Sequence, residues 1–378
     1  MPKPTYLFIV VAFFTCNFAF ASDLDCTQKH CIAVVDVGSS GSRLHIYSYD
    51  EDIHHTKTHI MENFSKKVSP SLSSIDASST AINTYLDNLF TQAPAQNIPV
   101  YFYATAGMRL LPQATQTNYY KLIGQWFAQH TAWPLVKAQT ITGQEEGLFG
   151  FLATNYTLGL LDDNKPLVSF MDMGGASVQV ATPLAENTVV DPMDTVNITV
   201  QGRAMRIFIH SFLGLGQTEA THQFLDDPSC YPTGYVLPSG QIASGDASTC
   251  SQHVESLINS VHQVYATLAP VFADQLPKTW YAISGISYLV RDPVLGLQPN
   301  NFTNQDLLQK SNTNICQASW HTLEQTYPSN LFLYNECFAA GYYYALMVKG
   351  YNISPEDTVH LLPSNQSADW TIGVVLHP

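Results

Sequence analysis

The chain has 378 residues, 46% of them hydrophobic and 12% aromatic, with 16 Lys and Arg against 30 Asp and Glu for a net charge of −14. That length fits two domains rather than one, and so much apolar material excludes a disordered chain. The shortage of basic residues excludes a nucleic-acid partner, because binding a phosphate backbone needs a basic face. A small polyphosphate is a different case: an acidic protein can hold it if a divalent cation neutralises part of its charge and backbone N–H groups supply the rest.

Met1 to Ala21 reads as a secretory signal, with Lys3 as a short basic start, Tyr6 to Phe14 apolar, and Ala19-Phe20-Ala21 as the small-x-small cleavage site. Its loss leaves about 350 residues and shifts the charge to −15, since Lys3 leaves with it. No later stretch is long and apolar enough for a membrane span. The mature chain is therefore expected to be secreted or periplasmic, and monomeric. Cleavage also removes Cys16 and leaves six cysteines, for which an oxidising compartment makes disulfides the default. Fifteen pairings exist in principle, and three sequence-local ones stand out: Cys26 with Cys31, Cys230 with Cys250, and Cys316 with Cys337. Zinc lacks any supporting Cys-x-x-Cys or nearby Cys-His spacing. Six Asn-x-Ser/Thr sites, at Asn63, Asn155, Asn197, Asn301, Asn352 and Asn365, would be surface acceptors in a eukaryotic host.

In chain order, the first informative element is Ile32 to Arg43, an apolar strand ending in Asp36-Val37-Gly38 and then small residues, with a return strand from Leu44 to Tyr47. Gly38 can bring the backbone close to a ligand, and the N–H groups and hydroxyls of Ser39, Ser40 and Ser42 can then face phosphate oxygens. An Asp at the strand end repels phosphate but can hold a hydrated cation that bridges to it. Taken alone, Asp36 reads as a plain hairpin residue, since Asp and Gly so often build turns. The next stretch, Ile98 to Leu111, runs from an apolar strand into a helix, with Thr105 at the strand end and Arg109 a turn further on. Arg109 there is either functional or part of a surface ion pair.

Thr140 to Leu152 begins a helix whose apolar residues continue to Tyr156. Thr142 and Glu145 have capping-box spacing, which gives Glu145 a structural task. Glu146 has no such task, and the flanking glycines are expected to keep its surroundings open, so it is the candidate general base. At Val168 to Gln179 the first element recurs, 136 positions on (172 − 36): an apolar strand, Asp172, Gly174, Gly175, Ala176 and Ser177, then a return strand from Val178 to Ala181. The same order twice, at a domain-sized spacing, points to two similar lobes clamping one phosphate chain. Near the C-terminus, Thr371 to Leu376 reads as an apolar strand expected to join the sheet of the N-terminal lobe.

The segments DVGSSGSR, YATAGMRLL, ITGQEEGLFGFLATNY, DMGGASVQVA and YAISGISYL resemble, in that order, the five apyrase conserved regions of the nucleoside triphosphate diphosphohydrolases, the ecto-apyrase family. Asn335 to Phe338 and Asp369 to Gly373 are similar to family segments as well. The fifth motif differs, with Ser284-Gly285-Ile286-Ser287-Tyr288 where relatives carry aromatics after the Ser.

The resemblance implies an α/β, two-lobed actin-like (ribonuclease-H-like) fold with its site in the cleft, lobe I being residues 22–142 and 347–378 and lobe II residues 143–346. It implies that Asp36 and Asp172 hold Mg2+, Ca2+ or Mn2+ through water. Ser39, Ser40 and Gly41 would cradle phosphates from one side, and Gly174, Gly175 and Ala176 from the other. Glu146 would be the base, Ser177 and Gln179 would position the attacking water, and Thr105 and Arg109 would support the metal and phosphate site. Tyr288 is a candidate to stack on the nucleobase, or else a core tyrosine on a strand. The implied activity is hydrolysis of ATP, ADP, GTP and GDP to monophosphate and phosphate. Alternatives are an exopolyphosphatase, a kinase of the same superfamily, and an inactive nucleotide-binding module.

Overall fold

The computed structural model describes residues 26, 28–94, 97–161, 165–274, 276, 278–363 and 369–378. The signal segment Met1 to Ala21 and the sequon at Asn365 lie outside the described residues. Five strands form a first sheet: β1 (His30–Val37), β2 (Ser42–Glu51), β3 (Lys57–Val68), β4 (Val100–Ala104) and β5 (Leu135–Thr140), in the order β3-β2-β1-β4-β5. Seven more form a second: β6 (Ser169–Met173), β7 (Ser177–Pro183), β8 (Thr195–Val200), β9 (Arg203–Leu213), β10 (Trp280–Ser284), β11 (Asn301–Thr303) and β12 (Thr358–Leu361), in the order β11-β12-β10-β6-β7-β9-β8. In both sheets the Asp-bearing strand turns straight back into an antiparallel partner, β1 into β2 and β6 into β7, and has a parallel neighbour on its other side.

Side chains alternate across a strand, so each sheet has two faces to bury. Ala33, Val35 and Val37 face one core with the helices Ser79–Phe90 and Gln113–Gln129. Met171, Met173, Val178 and Val180 face another, with the helices of the second lobe. The opposite faces share a third core, in which Ile32, Val34 and Tyr47 of the first sheet and Phe170, Ala181 and Ile207 of the second join the helix Gly143–Thr157 and the C-terminal helix.

Glu146 to Asn155 are buried on every side of the Gly143 helix, as its unbroken apolar run requires. Its glycines do not leave open space, contrary to the expectation from sequence; they let the second sheet close in. A Cβ on Gly147 would lie 2.6 Å from Ile209 Cγ2, and one on Gly150 2.2 Å from Phe170 Cζ. Gly150→Ala is expected to force Phe170 aside and destabilise by about 1–3 kcal/mol. A thermal unfolding midpoint equal to the parent's would contradict that packing.

Two expectations about the C-terminus are corrected. Thr371–Leu376 is a helix, not a strand, packed on the Gly143 helix and on β1. A six-residue run buried throughout has no periodicity to separate helix from strand. Gly373 allows the contact: a Cβ there would lie 2.1 Å from the Phe149 carbonyl oxygen. The preceding strand, β12, pairs in parallel with β10 of the second sheet, although the expected boundary at residue 347 places it in lobe I. Among the described residues, the C-terminal part therefore shares no strand pairing with the first sheet.

The structure pairs Cys26 with Cys31, Cys230 with Cys250 and Cys316 with Cys337. Asn155 is not a surface acceptor. It is fully buried, its Nδ2 donating to the Phe151 and Val168 carbonyls (3.0 and 3.3 Å) and its Oδ1 accepting from the Val168 N–H (2.9 Å), which ties the helix to the strand after it. Among the described residues no helix is long and apolar enough to cross a membrane.

Candidate active site

Both Asp-x-Gly turns reach the same place. In the first, the Gly38 N–H donates to the Gly41 carbonyl (2.9 Å), and Ser71 Oγ donates to the Gly38 carbonyl (2.7 Å). Gly41 is buried against the end of β3, where a Cβ would lie 2.5 Å from the Val68 carbonyl oxygen. Thr105 ends β4 and ties it to β1, its N–H and Oγ1 both donating to the Val37 carbonyl (3.0 and 3.3 Å). The short helix Ala106–Arg109 follows.

In the second turn, the Gly174 and Gly175 carbonyls accept from the N–H groups of Gln217 and Thr218 (2.9 and 2.8 Å), so the helix Gln217–Gln223 props the loop. A Cβ on Gly175 would lie 2.6 Å from Ser39 Oγ. The two small-residue loops thus face each other at close range, one from each sheet.

Glu146 sits in the first turn of the Gly143 helix and is 8% exposed. The capping box next to it is formed as the sequence indicates, with Thr142 Oγ1 accepting from the Glu145 N–H (3.1 Å) and Glu145 Oε2 accepting from the Thr142 N–H (2.7 Å). Glu146 Oε2 accepts instead from Arg109 Nη2 (2.5 Å) and Gln179 Nε2 (3.1 Å). Arg109 is therefore in a largely buried ion pair, not a surface one. Ser177 Oγ accepts from Arg109 Nη2 (3.0 Å) and Gln179 Nε2 (2.7 Å), which leaves its own proton for a ligand.

Strand register explains the cluster: Asp172 pairs with Gln179 and Gln179 with Ser211, a row across β6, β7 and β9 on the face toward the Gly143 helix. Tyr288 stands apart on the helix Gly285–Arg291, 76% exposed, and is not a core strand residue.

Several buried polar atoms have no protein partner: Asp36 Oδ1, Asp172 Oδ1, and Nε and Nη1 of Arg109. Such groups are costly unless a ligand satisfies them. Burial, then Glu146 and Asp369, push the Asp172 carboxyl up to about 7, against a hydrogen bond from Ser284 that acts the other way. Burial, then Asp369, raise Asp36 well above the usual carboxylate range. Burial also raises Glu146, with Arg109 opposing it. Asp36, Glu146, Asp172 and Asp369 outnumber their cationic neighbours Arg109 and His45, and His45 is shared with Glu62, so the site carries an excess of negative charge that suits a cation. Among the described residues no group of three or more His, Cys, Asp or Glu side chains gathers closely enough to hold a metal ion.

Sequence reasoning missed three contributors. Ser211 belongs to no motif, yet its Oγ lies 2.9 Å from Gln179 Nε2, whose two protons are shared among Ser211, Ser177 and Glu146. Ser284 ends β10 at φ 63°, ψ −131°, a strained backbone of about 1–3 kcal/mol for a non-glycine residue, which aims its side chain at Asp172. Asp369 arrives from the far end of the chain. The strand-Ser-Gly pattern at residues 280–285 was a usable signal for Ser284, and the family-like segment Asp369 to Gly373 was one for Asp369; nothing local marked Ser211.

Two sheets that each deliver an Asp-ended strand and a small-residue loop to one cleft make this an actin-like, two-lobed α/β protein. Among solved structures it is similar to nucleoside triphosphate hydrolases from Neospora caninum (TM-score 0.66, 15% identity, 92% of each chain) and to an Aquifex aeolicus Ppx/GppA family protein (TM-score 0.53, 13% identity, 92% of this chain and 97% of that one). Residues 23–229 and 238–378 match the GDA1/CD39 (nucleoside phosphatase) family, and the chain belongs to that family. Relatives include ectonucleoside triphosphate diphosphohydrolase 1 of Mus musculus, 26% identical over 91% of this chain and 80% of that protein. The Golgi apyrase of Saccharomyces cerevisiae is 33% identical over 51% of this chain and 37% of its own length.

Proposed function

We propose that the chain is a secreted apyrase that hydrolyses nucleoside tri- and diphosphates to monophosphate and phosphate, with Glu146 as general base. The observation that carries this reading is Glu146 itself: a buried carboxylate fixed by Arg109 and Gln179 where the two facing loops meet. Family membership and relatives named as nucleotide diphosphohydrolases and apyrases support the substrate class.

The orphaned oxygens of Asp36 and Asp172 fit a hydrated Mg2+ or Ca2+, which would neutralise phosphate charge and orient the polyphosphate. Backbone N–H groups of residues 39–41 and 174–176, with the hydroxyls of Ser39 and Ser40, cradle the phosphates. The unpaired Nε and Nη1 of Arg109 supply further donors. Thr105 holds the first loop against β4. Glu146 takes a proton from the attacking water as its oxygen bonds the terminal phosphorus and the anhydride P–O bond breaks. Ser177, whose proton is free, and Gln179 hold that water in line.

Phosphate release from ATP, ADP, GTP, GDP and polyphosphate, with and without a chelator, tests the reading. Release from tri- and diphosphates that the chelator abolishes is expected. Release from polyphosphate alone would contradict it.

The site also sets a pH dependence of stability. Asp172 has a folded value of about 7 against roughly 3.9 in an unfolded chain, so folding disfavours its ionised form. Its contribution is absent below about pH 4 and becomes destabilising as pH rises toward 7, by on the order of 4 kcal/mol. Unfolding midpoints in chelator should therefore fall from pH 5 to pH 8, and added Mg2+ should raise them more at pH 8 than at pH 5. An equal Mg2+ effect at both values would contradict the assignment.

A further inference from the structure

Behind the second small-residue loop lie two consecutive tyrosines that the reaction as described does not use. All three carbonyls of residues 174–176 are turned back into the protein. Gly174 accepts from the Gln217 N–H (2.9 Å), Gly175 from those of Thr218 and Glu219 (2.8 and 3.2 Å), and Ala176 from that of Gly214 (2.8 Å). Gln217, Thr218 and Glu219 form the first turn of their helix, whose N–H groups have no partner within the helix and are available to hold the loop. In a planar trans peptide the N–H points away from the carbonyl before it. With the Gly174 and Gly175 carbonyls held behind, the N–H groups of Gly175 and Ala176 therefore point forward, and among the described residues no backbone carbonyl accepts from either.

The segment that holds the loop is itself held by the helix Glu336–Tyr344, which is buried from Glu336 to Tyr343 and tied to residue 316 by the Cys316–Cys337 disulfide. A buried tyrosine needs a partner for its hydroxyl. Tyr342 and Tyr343 are both fully buried, and both find theirs here: Tyr342 donates to the Leu215 carbonyl, and Tyr343 to Gln217 Oε1 (2.6 Å). The Tyr343 hydroxyl stands at a convergence. A Cβ on Gly285 would lie 2.1 Å from it, 2.9 Å from Gln217 Oε1 and 2.9 Å from the Met173 carbonyl oxygen. Met173 follows Asp172 at the end of β6, and Gly285 follows Ser284 at the end of β10, so this hydroxyl borders two strand ends that carry site residues as well as the helix behind the loop. Tyr342 bonds a main-chain carbonyl, whereas the Tyr343 bond joins two side chains and can be probed from either end.

We propose that Tyr343 is a positioning residue for the phosphate chain: through Gln217 it fixes the helix start that turns the loop carbonyls back, and so sets how tightly the loop N–H groups hold phosphate. The inference rests on the reading that residues 174–176 cradle phosphates. Tyr343 itself bonds no substrate.

The test is calorimetric titration of the full chain with a non-hydrolysable ATP analogue and Mg2+. Tyr343→Phe and Gln217→Met each remove one end of the bond at nearly constant shape, and each is expected to weaken binding about fivefold, the scale of one hydrogen bond. The double variant should bind no more weakly than the weaker single one, since both act through one bond. In all three, KM for ATP should rise while kcat holds, because the contacts of Glu146 are untouched. Gly175→Ala, which drives a Cβ at Ser39 Oγ, is the reference for the loop. If it weakens binding while Tyr343→Phe or Gln217→Met matches the parent, or the two losses multiply in the double variant, or kcat falls at unchanged KM, this inference alone is overturned. If the parent does not bind the analogue, or Gly175→Ala binds as the parent does, the phosphate-loop reading fails and this inference with it. If Tyr343→Phe does not fold, Gln217→Met decides: weaker binding at unchanged kcat is expected, and binding equal to the parent's overturns the proposal.

Discussion

Glu146→Gln is expected to lower kcat for ATP by roughly 10² or more, the usual scale of a lost general base, while Glu145→Gln stays near the parent. The two glutamates are neighbours in one turn of one helix but differ in every contact. Glu145 points back along its own helix to the Thr142 N–H, a role that Gln fills equally well. Glu146 points into the cleft, where Arg109 and Gln179 converge on Oε2. The Gln variant keeps the size and an acceptor for Arg109, so the buried guanidinium stays paired, but it cannot take a proton. Steady-state phosphate release from purified variants checks this. An inactive Glu145→Gln, or an active Glu146→Gln, reverses the assignment.

Asp172→Asn is expected to move activity and stability in opposite directions. At saturating Mg2+ most turnover should be lost, because one of the two carboxylates proposed to hold the hydrated cation becomes neutral. In chelator at pH 8 the same variant should unfold at a higher temperature than the parent. The native carboxyl titrates at about 7, so at that pH the parent carries a buried charge beside Glu146 and Asp369 that the amide does not. A functional site that stores charge repulsion commonly shows this opposition between activity and stability. A variant that loses activity and stability together would mean that Asp172 is a packing residue.

The parts of this site that were legible in sequence are local ones. Asp36, Gly38 and Asp172, Gly174 announce their turns because a strand that ends in Asp-x-Gly and small residues has few other conformations open to it. The Thr142–Glu145 capping box depends on four consecutive residues and forms as read. What could not be read depends on partners distant in sequence. Glu146 meets Arg109 from 37 residues before it and Gln179 from 33 after, and that meeting turns an apparently open helix start into a buried ion pair. The C-terminal run failed for a different reason. Thr371 to Leu376 is apolar at nearly every position, so its pattern could not say whether it would extend a sheet or lie as a helix under both lobes. Asn155 shows the same limit on a smaller scale: its sequon is a local pattern, while its side chain is buried against Val168, just before β6.

The central claim, that Glu146 moves a proton and does not hold the nucleotide, is tested most directly by calorimetric titration of Glu146→Gln with a non-hydrolysable ATP analogue and Mg2+. Neither phosphate loop and neither aspartate is altered in that variant, so it should bind the analogue as the parent does while its turnover is lost. Loss of binding together with turnover would show that Glu146 shapes the cleft or carries the ligand, and that the base lies elsewhere.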